Sequence, residues 1–330
     1  MSSTVDSTGI ADASRSGATG RPAGPRGAMS RVSRSGRGRL TPYLFVLPAI
    51  LYLGALLAYP VVVNVITSFQ QLTAINLLSG DAAWVGLDNY RAALHDPLAV
   101  SAAEHSVAYT AAAVVVQMSL ALGLALLYSR TFPGARSLRS LYLIGYAIPV
   151  VVSAQVFRWM LDGRTGFVNW VLQSLHLQDS HAPVYWLADT RTALPAVIAV
   201  QVWLGVPFTM IALNAGLMVI PQDLYEAASI DGAGPLARFR YVTWPHLRPT
   251  FFTVTILTVI FCFKSFDLVW IATQGGPAGA SEILPTLAYR LVFQQFQFGE
   301  GSAVLNVVFL VLLALSTVYL WALHREDKTQ

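Results

Sequence analysis

Six long apolar segments constrain this chain more than any other feature. They run over about residues 43–69, 106–128, 140–161, 193–219, 250–273 and 302–324. Each holds about 20 residues or more, and at ~1.5 Å per residue such a helix spans the ~30 Å hydrocarbon core of a bilayer. Lipid offers backbone groups no partner but each other, so the segments read as helices. The ~10-residue alternating stretches of a membrane β-barrel are not seen. Only 12% of the 330 residues are charged, where a soluble domain carries about a quarter. The single Cys excludes a disulfide framework or a cysteine metal cluster within the chain. The expected fold is therefore an all-α membrane protein with six transmembrane helices.

Residues 1–39 differ from all that follows. Rich in Ser, Gly and Arg, they lack the apolar surface that would offset ordering entropy, and read as a disordered cytoplasmic tail. The tail carries seven arginines, Arg15, Arg21, Arg26, Arg31, Arg34, Arg37 and Arg39, with no interleaved aromatics, so no nucleic-acid role is expected. It does not read as a signal peptide, because the apolar run after it is too long and no small-residue cleavage site ends that run. Residues 40–324 form the expected six-span domain, and 325–330 a short cytoplasmic end. With the N-terminus inside, fifteen of the 21 basic residues fall on the cytoplasmic side. Four, Arg91, Arg164, Arg191 and Arg290, fall outside. This bias predicts an N-in, C-in orientation.

The cytoplasmic loop over 220–249 is long enough to hold structure of its own. Asp223 with Glu226 three residues on reads as a capping-box-like pair. Leu224, Ala227 and Ala228 then make a small apolar face. Gly232 can supply the left-handed residue that ends the helix, Pro235 suits the first turn of a second helix, and Pro245 and Pro249 are expected to break the chain before span five. So short a helix is marginal alone, so something must pack on it. Its alanines suit seating in a groove.

The motif Glu226-Ala227-Ala228-Ser229-Ile230-Asp231-Gly232-Ala233, followed by Phe239 and Val242-Thr243-Trp244-Pro245, resembles the EAA loop of ABC-importer permeases of the carbohydrate-uptake type. Trp244 departs from the usual Leu. Phe266-Asp267, then Thr273-Gln274-Gly275-Gly276-Pro277, is similar to the F-D and L-T-x-G-G-P elements of the maltose- and glycerol-phosphate-type permeases, and Val85 to Tyr90 to their first external loop. The resemblance covers about residues 43–324.

It implies a permease subunit of a type I importer in the bacterial inner membrane. The implied partners, besides lipid, are a second permease, a dimer of ATPase subunits that grips the EAA helices, and an extracytoplasmic solute-binding protein. Glu226, Ala227, Ala228, Asp231, Gly232 and Pro245 carry the implied coupling role. The chain has no Gly-Lys dipeptide and so no phosphate loop. No cofactor is expected on it; ATP and magnesium belong to the partner ATPase.

Polar residues within spans are default site candidates. Lys264 and Asp267, three apart in span five, read as a pair on one helix face that either lines the path or fixes packing. Gln155, Gln201, Trp203, Trp270 and Asn306 suit a sugar, since amides satisfy hydroxyls and indoles stack on pyranose faces. Each also fits an interhelical hydrogen bond or an interfacial belt. The substrate reading is a sugar or related polyol. The alternatives are another polar solute, such as a glycerophosphodiester, or an ion-driven secondary transporter. An intramembrane hydrolase is disfavoured because no G-x-S-x-G occurs.

Overall fold

A computed structural model describes residues 41–129, 134, 140, 144–179 and 181–326. The expected tail over 1–39, most of the basic loop at 130–139 and the last four residues lie outside the described residues. The chain divides into two units, Met1–Ala55 and Leu56–Gln330. In the first, the described part is the opening of helix α1, Thr41–Ser68. The second holds the rest.

Among the described residues, five helices are long and apolar enough to cross a membrane. The first is α1. After the short helices α2 (Ala74–Ser79) and α3 (Asp88–His95), the second is α4, Pro97–Tyr128. It begins nine residues before the expected span, because Asp96 caps its N-terminus through the Leu98 amide and Pro97 fits the first turn. The third is α7, Ala193–Met218. The fourth crossing runs without interruption from Pro235 to Phe263. The fifth is α13, Phe298–Glu326, which carries the helix past the expected span end at 324.

The third apolar segment departs from expectation. Its described part is helical over 144–147, breaks at Ile148 and Pro149, and resumes as α5, Val150–Met160. Pro149 takes an extended conformation at the cap of α5; its ring fixes φ and it lacks the N–H that a continuous helix needs. α6 (Phe167–Ser174) follows. The fifth segment also differs: its helix ends at Phe263, and residues 264–266 separate it from the short α11, Asp267–Ala272. A two-stranded ribbon, unforeseen in the all-α reading, pairs Gln70 with Trp84 and Gln71 with Ala83.

α4 and α7 form the most extensive helix pair in the second unit. Ala102, Ala113, Ala121 and Ala125 are fully buried along α4. Small residues let backbones approach closely where lipid supplies no hydrophobic drive for association. At the crossing Gly205 of α7 faces Gln117 of α4; a Cβ at 205 would lie 2.2 Å from the Gln117 Oε1. Gln117 in turn donates to the Thr209 hydroxyl at 2.7 Å. A second apolar cluster joins Leu287 and Leu291 to Val304 and Val308 of α13 and Phe263.

Candidate functional site: an exposed loop helix and a polar cavity

The loop after α7 folds into α8, Gln222–Ile230, and α9, Pro235–Arg238. No residue of α8 is buried. Its cap is Pro221, which has no side-chain acceptor, so the expected Asp223–Glu226 capping box does not form. Asp223 still sits in the first turn, where a carboxylate favours the helix dipole. The C-terminus meets expectation. Gly232 is left-handed at φ 74°. The Gly232 amide donates to the Ser229 carbonyl at 3.1 Å and the Ala233 amide to the Ala228 carbonyl at 2.9 Å. These are the two bonds of a Schellman motif, which only a residue tolerant of positive φ can close. Arg238 locks the turn from the other side, donating to the Ala233 carbonyl and the Ser229 hydroxyl.

Pro245 and Pro249 do not break the chain. α9 continues through a π-helical turn, Phe239–Thr243, into α10, Trp244–Phe263. The wide turn lets the Trp244 amide reach the Phe239 carbonyl and places Pro245 in the first turn of α10, where its missing N–H matters least. Trp244 packs edge-on against Phe251, ring centroids 5.2 Å apart. The Tyr225 and Thr243 hydroxyls, 3.1 Å apart, join α8 to this rod. Glu226, Ala227, Asp231, Gly232 and Pro245 are exposed and Ala228 is half-buried. Ile230 and Leu236, 87% and 79% exposed, stand beside them. This is a charged and apolar face on a helix fixed at both ends.

A cavity of ≈ 460 Å³ opens where α10 stops. Gln117, Gln201, Lys264, Ser265 and Asp267 supply its polar lining, and Tyr146, Phe208, Phe261 and Phe266 its rings. Lys264 and Asp267 share this cavity but form no ion pair. The break over 264–266 takes them off a common helix face, both are exposed, and the Lys264 ammonium lies over the Phe261 ring at 4.9 Å. Gln201 is brought in as expected. Its Oε1 accepts from the Tyr109 hydroxyl at 2.9 Å and from Ser265 at 3.2 Å.

The other expected pathway residues lie elsewhere. Asn306 is buried in a hydrogen-bonded knot, accepting from Asn64 at 2.7 Å and donating to the Tyr90 hydroxyl at 3.1 Å. Trp203 packs edge-on against Phe157 at 4.9 Å, and Gln155 is exposed outside the cavity. Trp270 belongs to an aromatic row with Phe266 and Tyr289, at 5.7 and 4.5 Å.

Sequence reading passed over Glu282. Its side chain is fully buried and forms an ion pair with Arg290. Burial pushes its carboxyl above the usual range; the Thr286 hydroxyl and the Arg290 charge oppose this without cancelling it. Arg290 also donates to the Gln274 carbonyl at 2.7 Å. The pair thus pins the Gly-Gly-Pro turn to α12, Leu284–Tyr289. An acid and a base flanking one apolar run were the available signal.

Residues 97–326 match the family model described as "Binding-protein-dependent transport system inner membrane component", which covers well over half of the chain. The chain belongs to this family. As an inner membrane component of a binding-protein-dependent transport system, it is a multi-pass translocation subunit, not the ATP-hydrolysing one. The component is 35% identical to the diacetylchitobiose uptake system permease protein DasB of Streptomyces coelicolor, over 93% of each chain. It is 33% identical to the trehalose/maltose transport system permease protein MalF of Thermococcus litoralis, over 84% of this chain and 92% of the relative. Its fold matches a subunit of a bacterial ABC transporter involved in the import of the acidic polysaccharide alginate, with a TM-score of 0.74 at 20% identity, covering 88% of this chain and 96% of the other.

Proposed function

We propose that this chain is the permease of an ATP-driven importer for a sugar or related polyol, acting with a second permease, a dimer of ATPases and an extracytoplasmic binding protein. The observation that carries the coupling role is α8. It is an exposed helix with no buried side chain of its own, fixed by Gly232 and Arg238, and it continues through α9 into a membrane-crossing rod. A helix so placed transmits a push on Glu226 to α10 as a rigid lever. ATP and magnesium act on the partner ATPase, and alternation between inward- and outward-open states follows from their differential binding to the two.

Six crossings with both termini inside is the topology this reading adopts. The broken third segment, over 144–147 and Val150–Met160, would supply the crossing that no single long helix provides. The distribution of basic residues supports the orientation. For the solute, Gln201, Ser265, Lys264 and Asp267 offer hydroxyl partners beside the Phe266 ring in one cavity. The relatives DasB and MalF, named for diacetylchitobiose uptake and trehalose/maltose transport, support a carbohydrate.

Reconstitution with the co-purifying permease, ATPase and binding protein tests the proposal. Uptake of a di- or oligosaccharide coupled to ATP hydrolysis is the expected outcome. Uptake of a glycerophosphodiester with no sugar transport would overturn the carbohydrate assignment, and uptake without any ATPase would overturn the coupling.

A further inference from the structure

Beyond the inner cavity, a second one of ≈ 330 Å³ opens between the end of α5, the 162–188 segment and the Gly-Gly-Pro turn. Arg158, Asp162, Tyr185, Thr273 and Gln274 line it. Three features mark it as built. The Arg158 guanidinium and the Gln274 side-chain carboxamide are exposed and have no partner among the described residues. The Tyr185 ring is seated against Gly163, where a Cβ would come within 2.4 Å of Cδ1. The Gln274 backbone, left-handed at φ 53°, is fixed by Arg290 and so by buried Glu282. A firmly held ring with free hydrogen-bonding groups around it is what a pyranose requires: the ring faces the apolar side of the sugar and the polar groups meet its hydroxyls.

The two cavities share the same pair of walls. On α11, Asp267 lines the inner cavity and Ile271 the outer one. They are four residues apart, on one helix face, and separated along it by ~6 Å. On α5, Val150 lines the inner cavity and Arg158 the outer, a rise of ~12 Å. A short oligosaccharide bridges the longer of these distances, whereas one pyranose ring does not.

We infer that the cavity of Arg158, Tyr185 and Gln274 is an outer carbohydrate subsite, holding one unit of an oligosaccharide whose other end occupies the inner cavity. The inference rests on the carbohydrate reading above. It gives the path room for a third sugar unit, beyond a disaccharide held in the inner cavity, and gives the Glu282–Arg290 pair a positioning role in recognition. Arg158 and Gln274 contact sugar hydroxyls and Tyr185 stacks on one ring. The arrangement asks for no charge on the solute.

The test uses the complete importer in proteoliposomes with saturating loaded binding protein, so that permease contacts rather than capture set the rate. The probes are the di- and trisaccharides of β-1,4-linked N-acetylglucosamine and of α-1,4-linked glucose. For whichever series is transported, Tyr185→Ala and Arg158→Gln should slow the trisaccharide at least ~5-fold more than the disaccharide. Tyr185→Phe, which keeps the ring, should restore the trisaccharide rate. Equal slowing of both lengths, or none, overturns the outer subsite while leaving the carbohydrate reading intact. A wild-type importer that moves a glycerophosphodiester and no sugar overturns the carbohydrate reading, and the subsite with it.

Discussion

The fully buried Glu282 carboxylate is paired with the Arg290 guanidinium, whose side chain is 26% exposed. That asymmetry decides what each substitution does. Arg290→Ala strands a buried charge and should cost about 3–5 kcal/mol of stability. Glu282→Gln leaves an arginine that can turn to water and should cost less. Thermal unfolding in detergent, comparing the two variants at neutral pH, checks the order.

The same pair sets a pH dependence. Burial raises the Glu282 carboxyl above its unfolded value, so over that window the folded state binds the proton more readily. The stability contributed is present at acid pH and is lost as pH rises through the folded pKa. Arg290→Ala removes a charge that lowers this pKa, so the loss should move to higher pH. Glu282→Gln should flatten it. Unfolding temperatures measured from acid to mildly alkaline pH read both effects.

At the α4–α7 crossing, Gly205→Ala should cost about 1–3 kcal/mol by overpacking, because the new methyl meets Gln117, itself buried and bonded to Thr209. Gln117→Ala in the same chain should recover part of that loss, since neighbouring changes do not add. Strict additivity in the double variant would mean that the two helices do not touch there.

Lys264 and Asp267 line one cavity without pairing. Lys264→Gln and Asp267→Asn should therefore impair uptake independently, with a coupling energy below ~0.5 kcal/mol in a double-mutant cycle. A coupling well above that would restore the ion pair that their three-residue spacing suggested.

How much of this was legible in the sequence follows from which forces act at each place. Hydrophobic length alone located α1, α4, α7 and α13, because lipid leaves an apolar stretch one satisfied conformation. Gly232 and Pro235 were legible because their backbone restrictions are local. Pro245 and Pro249 misled, since a π turn just upstream absorbs the first of them and spacing does not encode that widening. The break at 264–266 carries no Pro or Gly to announce it. It turned an apparent helical pair into two separate cavity residues. Asn306 sits in a knot with Asn64 and Tyr90, partners 242 and 216 residues away in sequence. No local pattern encodes partners so far away in sequence.

The C-terminal turn of α8 is open to direct trial. Gly232→Val forces a branched side chain to φ 74°, a region that costs an L-residue about 1–2 kcal/mol. It should lower uptake per molecule while leaving membrane insertion unchanged, as read by uptake normalised to the amount of permease in the bilayer.

The most direct measurement is ATP hydrolysis by the reconstituted importer, with and without loaded binding protein, for wild type and Glu226→Ala at equal assembly. If α8 is the coupling lever, the variant keeps basal hydrolysis but loses its stimulation and the accompanying uptake. Stimulated hydrolysis and uptake at wild-type rates would contradict that role for α8.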